Sequence, residues 1–203
     1  MICVPASIRR TMFASLLAAG VTTTNLLIPA AAVAEANAPM SGIKTDIVFW
    51  IQDAENKLME LAEAIPENKY SWKPSEGVRT TSQVFMHVAT TNFGLPSFIG
   101  VKPPEGFDFR TFENSVTSKA DVMKQLKASF EHARMAVTSI KDADMDNPVD
   151  LFGNKSTVRG TTMLLVAHNH EHLGQCIAYA RSIGVTPPWT AREQAAEAAA
   201  KKK

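Results

Sequence analysis

The sequence predicts an all-α fold, a four-helix bundle of the up-and-down type. Four segments carry apolar residues at helical spacing, and no segment alternates apolar and polar residues as a half-buried strand does. A third observation bears on use: His87 in one predicted helix and His168 and His172 in another fall where bundle helices can bring them together.

Residues 1–38 read as a signal peptide. Arg9 and Arg10 precede a weakly polar stretch from Met12 to Leu27, and a run of small residues follows, with A-x-A sites that place cleavage at about 34–38. Thr22, Thr23, Thr24 and Asn25 interrupt an apolar run too short to span a bilayer comfortably, so no stable membrane anchor is expected after cleavage. The protein is therefore expected in the periplasm or secreted. Arg9-Arg10-Thr11-Met12-Phe13 resembles an incomplete twin-arginine signal, and the ordinary secretory route is the simpler reading. Cys3 leaves with the signal, so Cys176 remains alone and an intramolecular disulfide is excluded. Removing Arg9 and Arg10 from 21 basic residues leaves 19 against 20 acidic ones, with no basic run before Lys201–Lys203. That balance argues against nucleic acid as a partner.

Residues 41–190 are expected to form one domain, since a mature chain of roughly 165 residues can bury about two thirds of its unfolded surface. In the first helix Trp50, Ala54, Leu58, Leu61 and Ile65 form a stripe, Asp53, Glu55, Lys57 and Glu60 face away, and Pro66 stops it. The second begins at Thr80, with Gln83 three residues on as a capping box. It carries Val84, His87, Val88 and Thr91 inward before Gly94 and Pro96 kink or stop it. A loop rich in Pro, Gly and Phe leads to the third, capped by Ser118 with Asp121, in which Val122, Leu126, Phe130, Ala133, Val137 and Ile140 repeat at three and four. His132 then falls on the solvent side. After a polar connection from Lys141 to Arg159, the fourth helix runs from about Gly160 to Ile183, apolar on most sides, with Gly184 as its cap and Pro187-Pro188 barring its continuation. The three tryptophans, Trp50, Trp72 and Trp189, are read as packing residues. Residues 191–203 are alanine-rich with too little apolar area to dock firmly, so a frayed helix or disorder is expected.

His168 and His172 are four apart, so on a helix they stack within about 40° of each other. One helix can thus offer two imidazoles to one ion, and His87 is the best third ligand. Three imidazoles leave one position open for water or substrate, the pattern of catalytic zinc. His170 points about 200° from His168 and lies outside this set. Glu171, Gln175 and Thr91 are candidates to orient a ligand or line the pocket. The zincin signature fails because Gly174 stands where its second histidine would be, which argues against a metalloprotease. Cys176 is read as a small buried hydrophobe.

Taken in order, Ala64-Ile65-Pro66, Tyr70-Ser71-Trp72-Lys73-Pro74, Gly77-Val78-Arg79-Thr80, Met86-His87-Val88-Ala89, His168 through His172, Gly174-Gln175, Tyr179, Arg181 and Gly184 to Pro188 resemble the DinB-like (DinB/YfiT) family. The resemblance implies a small four-helix bundle holding a divalent metal on His87, His168 and His172, the trio that helical phase also selects. It further implies enzymology with a low-molecular-weight thiol, since relatives include thiol-dependent S-transferases and a maleylpyruvate isomerase. An export signal would separate this chain from the cytosolic thiol pool, which keeps water, and hence hydrolysis, as the other nucleophile. The expected cofactor is one divalent ion, with zinc or nickel ahead of copper or iron. The expected function is a metal-dependent hydrolase or S-transferase acting on a small electrophilic substrate. The alternatives are a non-catalytic metal-binding, storage or stress-related bundle and a plain helical interaction protein. Homodimerisation is common for small bundles and is expected here.

Overall fold

The computed structural model describes residues 42–202. The signal peptide and its cleavage site lie outside the described residues. The helices are α1 (Gly42–Ala64), α2 (Thr81–Gly94), α3 (Lys119–Ser139), α4 (Val158–Ser182) and α5 (Pro188–Ala200). The first four form the bundle. Consecutive helices are not its neighbours throughout: α1 packs on α3 and α4, and α2 also packs on α3 and α4, so α1 and α2 sit diagonally. An up-and-down bundle in its simplest order would instead set each helix beside the next. Here the histidine-bearing helices α2 and α4 are adjacent, as a shared site requires.

Local chemistry sets the helix starts. Thr80 caps α2 with the complete capping box: its Oγ1 accepts from the Gln83 N–H, and Gln83 Oε1 accepts from the Thr80 N–H at 2.8 Å. Ser118 caps α3 by accepting from the Asp121 N–H at 3.2 Å. The inward stripe of α3 is as its period predicts, with Val122, Leu126, Phe130, Ala133 and Val137 fully buried. Val122, Leu126, Phe130 and Val137 share one core with Ile51, Leu58 and Leu61 of α1, Phe85 and Val88 of α2, and Leu165 and Cys176 of α4.

Four sequence expectations need correction. On α1 the buried stripe runs through Ile47 and Ile51, leaving Trp50 49% exposed with its ring edge-on to Phe49 and His170. Ala54, Leu58, Leu61 and Ile65 of the expected stripe are fully buried, and Trp50, one residue and hence 100° of helix from Ile51, is its one misplaced member. Glu55 does not face away: it is buried and ion-paired with Arg134 of α3, which offsets its desolvation. His132 is half-buried against Phe93, ring centroids 5.5 Å apart, and burial lowers its pKa. The connection before α4 contains a hairpin, β1 (Pro148–Leu151) antiparallel to β2 (Asn154–Thr157), with Val149 opposite Ser156. Its two turn residues, Phe152 and Gly153, both have positive φ, the backbone of a two-residue hairpin turn, and the Asp150 carboxylate accepts from the Gly153 N–H at 2.6 Å.

Pro187-Pro188 ends one helix and begins another. Pro187 is the N-cap of α5 and Pro188 takes its first position, where the missing N–H costs nothing. The tail is helical to Ala200, and every described residue from Ala191 on is exposed. Trp72 and Trp189 pack partly buried against the core, as expected.

Candidate metal centre

Helical phase puts His87, one turn before Thr91, on the side of α2 that meets α4. On α4 the same phase stacks His168 and His172. The three rings meet: centroids are 5.0 Å apart for His87 and His168, 4.6 Å for His87 and His172, and 4.4 Å for His168 and His172. One nitrogen from each lies within 4.8 Å of the other two, and no Asp, Glu or Cys belongs to this group. The Nε2 atoms of His87 and His168 are 3.1 Å apart. Two donors on a tetrahedral zinc with bonds of about 2.0–2.1 Å stand roughly 3.3 Å apart, so the spacing suits a shared ion.

The outer nitrogens decide which atoms face inward. His87 Nδ1 lies 2.8 Å from Glu113 Oε2, and because a carboxylate only accepts, that nitrogen carries the proton and Nε2 keeps a lone pair. His172 Nδ1 donates to Gln175 Oε1 at 2.8 Å, with the same result. Both are the outer hydrogen bonds typical of metal-ligating imidazoles. The Thr91 hydroxyl lies 3.2 Å from His168 Nε2, and His168 Nδ1 is buried without a hydrogen-bond partner. Burial, followed by the fields of His172, His87 and Arg79, pushes the His168 pKa down to about 3, and burial and Arg79 also lower that of His87. Both rings are therefore neutral at pH 7, as metal ligation requires.

Arg79 ties the site together. Its Nε and Nη2 donate to the two oxygens of Glu113 at 2.7 and 3.1 Å, a bidentate fork. Burial works to raise the Glu113 pKa, but hydrogen bonds and charge from Arg79 and His87 outweigh it and hold the carboxylate ionised. The Arg79 carbonyl accepts from the Tyr179 hydroxyl at 3.1 Å, and Gln175 Nε2 donates to that hydroxyl at 3.3 Å. One chain thus runs from His87 through Glu113 to the Arg79 guanidinium, and another from His172 through Gln175 and Tyr179 to its backbone. Glu113 and Gln175, the partners of two ligand rings, also line a cavity of about 530 Å³ together with Gly77, Val78, Arg79 and Gln83.

Of the residues expected from sequence, Gln175 and Thr91 touch ligand rings, whereas Glu171 is exposed and bonds to none of the three histidines. The orienting carboxylate is Glu113, on a short 3-10 turn (Phe112–Asn114). No periodic signal marks a loop residue 26 positions from its partner. The loop is seated by Phe107 and Phe112 against Phe93 and by Phe109 against Gly94, where a Cβ would overlap the Phe109 ring. His170 lies outside the site, its Nδ1 donating to the Val166 carbonyl at 3.0 Å. Cys176 is buried, which raises its thiol pKa, and it does not join the histidines.

The family model of the DinB superfamily matches residues 51–176, more than half of the chain and all three histidines. The chain belongs to the DinB superfamily. Among DinB proteins it is similar to YjoA of Bacillus subtilis, an uncharacterised protein, at 27% identity over 143 residues, 69% of this chain and 90% of YjoA. The crystal structure of YjoA superposes with a TM-score of 0.56 over 70% of this chain and 93% of that one, at 28% identity. A DinB-like protein of Bacillus cereus gives 0.59 at 22% identity, over 68% and 93% of the two chains. YfiT of Bacillus subtilis, described as a probable metal-dependent hydrolase with an unusual four-helix bundle topology, gives 0.58 at 14% identity, over 74% and 93%. At such identities the last two likenesses show the DinB fold alone.

Proposed function

We propose that this DinB protein is a metal-dependent enzyme that activates water or a low-molecular-weight thiol against a small electrophilic substrate. The observation carrying this reading is a converging set of three imidazoles, with no fourth protein donor in the group among the described residues, two of them held by Glu113 and Gln175, which line a cavity. A closed set of four would suit storage or structure; three suit chemistry. A divalent ion, when bound, supplies a Lewis acid that lowers the pKa of a coordinating water or thiol. Zinc or nickel suits three imidazoles.

The chain's own residues do the rest. His87, His168 and His172 hold the ion; Glu113 and Gln175 fix two of the rings with Nε2 inward. Arg79 keeps Glu113 ionised, so that the His87 Nδ1 proton has a permanent acceptor. The description of YfiT as a metal-dependent hydrolase agrees with this reading by analogy of fold. Export would favour water over a cytosolic thiol as the nucleophile, and residues 1–38 would then be missing from protein recovered from the periplasm.

The test is elemental analysis of the mature protein beside His87→Ala, His168→Ala and His172→Ala. About one zinc or nickel per chain is expected, lost in each variant while circular dichroism stays helical. Full metal retention by a variant removes that residue from the site, and no metal after reconstitution leaves a helical interaction protein. Ester hydrolysis with and without an added thiol then separates the two nucleophiles.

A further inference from the structure

We propose that the substrate is an anion bearing a carboxylate or a group of like shape, and that Arg79 is the residue that recognises it; this deepens the metal-enzyme reading and rests on it. Arg79 spends only Nε and Nη2 on Glu113. A guanidinium has five N–H donors in a flat fork, so both hydrogens of Nη1 and one of Nη2 remain. The side chain is 40% exposed and lines the cavity that Glu113 and Gln175 share, whereas Glu113, its partner, is 20% exposed and engaged on both oxygens.

The charge balance of the cavity points the same way. Among the described residues that line it, Arg79 and Glu113 alone are ionised, and they cancel. The remaining lining, from Gly77, Val78, Gln83 and Gln175, is neutral, and the three imidazoles, once bound to a metal through a ring nitrogen, are uncharged ligands. A divalent ion on them would leave the site with a net charge of about +2, which a neutral substrate would not offset and an anion would. Glu113 links the guanidinium to the site, taking the Arg79 fork and accepting from His87 Nδ1, so Arg79 stands one residue away from a ligand ring. Its placement is overdetermined: the Tyr179 hydroxyl holds its backbone and Glu113 its side chain. A fork held this rigidly gives up little freedom on binding a second planar anion.

The experiment is calorimetric titration of the zinc-reconstituted protein with malonate and with its uncharged analogue malonamide. Wild type is expected to bind malonate at least about tenfold more tightly than malonamide, and Arg79→Gln to lose most of that preference, since the charge-assisted fork is what separates the two ligands. Arg79→Gln also uncovers the Glu113 charge, which would repel malonate by itself. The double variant Arg79→Gln with Glu113→Gln removes both charges and is expected to remain weak; restored malonate binding there overturns the proposal. So does equal binding of malonate and malonamide by wild type. Arg79→Lys, which keeps the charge without the fork, is expected to fall between. Zinc content is measured on every sample: a protein that takes up no zinc overturns the metal reading and this inference together, whereas one that takes up zinc without preferring malonate overturns this inference alone.

Discussion

Glu113 shows how much a single loop carboxylate can control. Its bond to His87 fixes which imidazole nitrogen faces inward, and its fork with Arg79 keeps it ionised while half-buried. Glu113→Ala is therefore expected to weaken metal affinity by about 10–100-fold, read by competition with a chelator of known affinity. Glu113→Gln, which still presents an acceptor oxygen, should lose less; equal losses in the two variants would show that charge rather than ring orientation matters. The three histidines were legible in the sequence because helical phase is arithmetic: residues four apart share a face, and a residue two away does not. Glu113 was not legible, since its loop obeys no period and its approach to His87 depends on Phe107, Phe109 and Phe112 seating against Phe93 and Gly94. Glu171, adjacent to a ligand in sequence, is exposed because the next helical position already turns toward solvent.

Caps were the most legible features of the helices. The Thr80 and Ser118 starts match the sequence reading because a capping side chain and the N–H it serves lie within three residues. The packing order α1, α3, α2, α4 was not legible, because period reports which face of a helix is apolar and not which neighbour covers it. The hairpin escaped for another reason. Its strands are four residues each, largely polar, and its turn places Phe152 at positive φ, where sequence would favour Asn or Gly. Thr80 also joins helix start to site, since it follows Arg79 directly. Thr80→Ala removes one half of the capping box and is expected to cost about 1 kcal/mol in urea unfolding. The Gln83 side chain keeps both its bonds, accepting from the backbone N–H of residue 80 and donating to Asn114, so metal affinity should change less than stability does. A variant of unchanged stability would show that the box adds nothing to α2. Helix α5 is the opposite case, a regular helix with no buried residue, tied to α1 by Arg192 on Glu60 at 3.0 Å. Exposed pairs contribute about 0–1 kcal/mol. Ending the chain after Thr190 should leave the unfolding midpoint nearly unchanged and metal content intact; a large loss would mean that α5 docks more firmly than its exposure indicates.

Site and fold meet in the acid response of the metal-free protein. His168, with a folded pKa of about 3, and the less strongly lowered His87 and His132 are neutral where the same residues in an unfolded chain, with ordinary values near 6.5, already take up protons. Between those values the unfolded state binds more protons than the native one, so stability is fully present above about pH 6.5 and declines as pH falls toward the folded values. One such group lowers stability by at most about 1.4 kcal/mol per pH unit across its window. Glu113 has the same sign, but its window opens only below its ordinary value of 4.5, so titration between pH 6.5 and 4.5 isolates the histidines. Urea midpoints of the metal-free protein are thus expected to fall steadily from pH 7 to pH 5, and His168→Asn, which cannot take up a proton, to flatten the slope by about one proton. Midpoints flat across that range would mean that the rings are not held neutral by the fold. Zinc at one hundred times its dissociation constant should raise the unfolding free energy at pH 7 by about 2.7 kcal/mol, and that gain should shrink with acid, because each proton taken up by a ligand displaces the ion. The burial that makes these imidazoles neutral ligands is therefore the same burial that makes the empty bundle sensitive to acid.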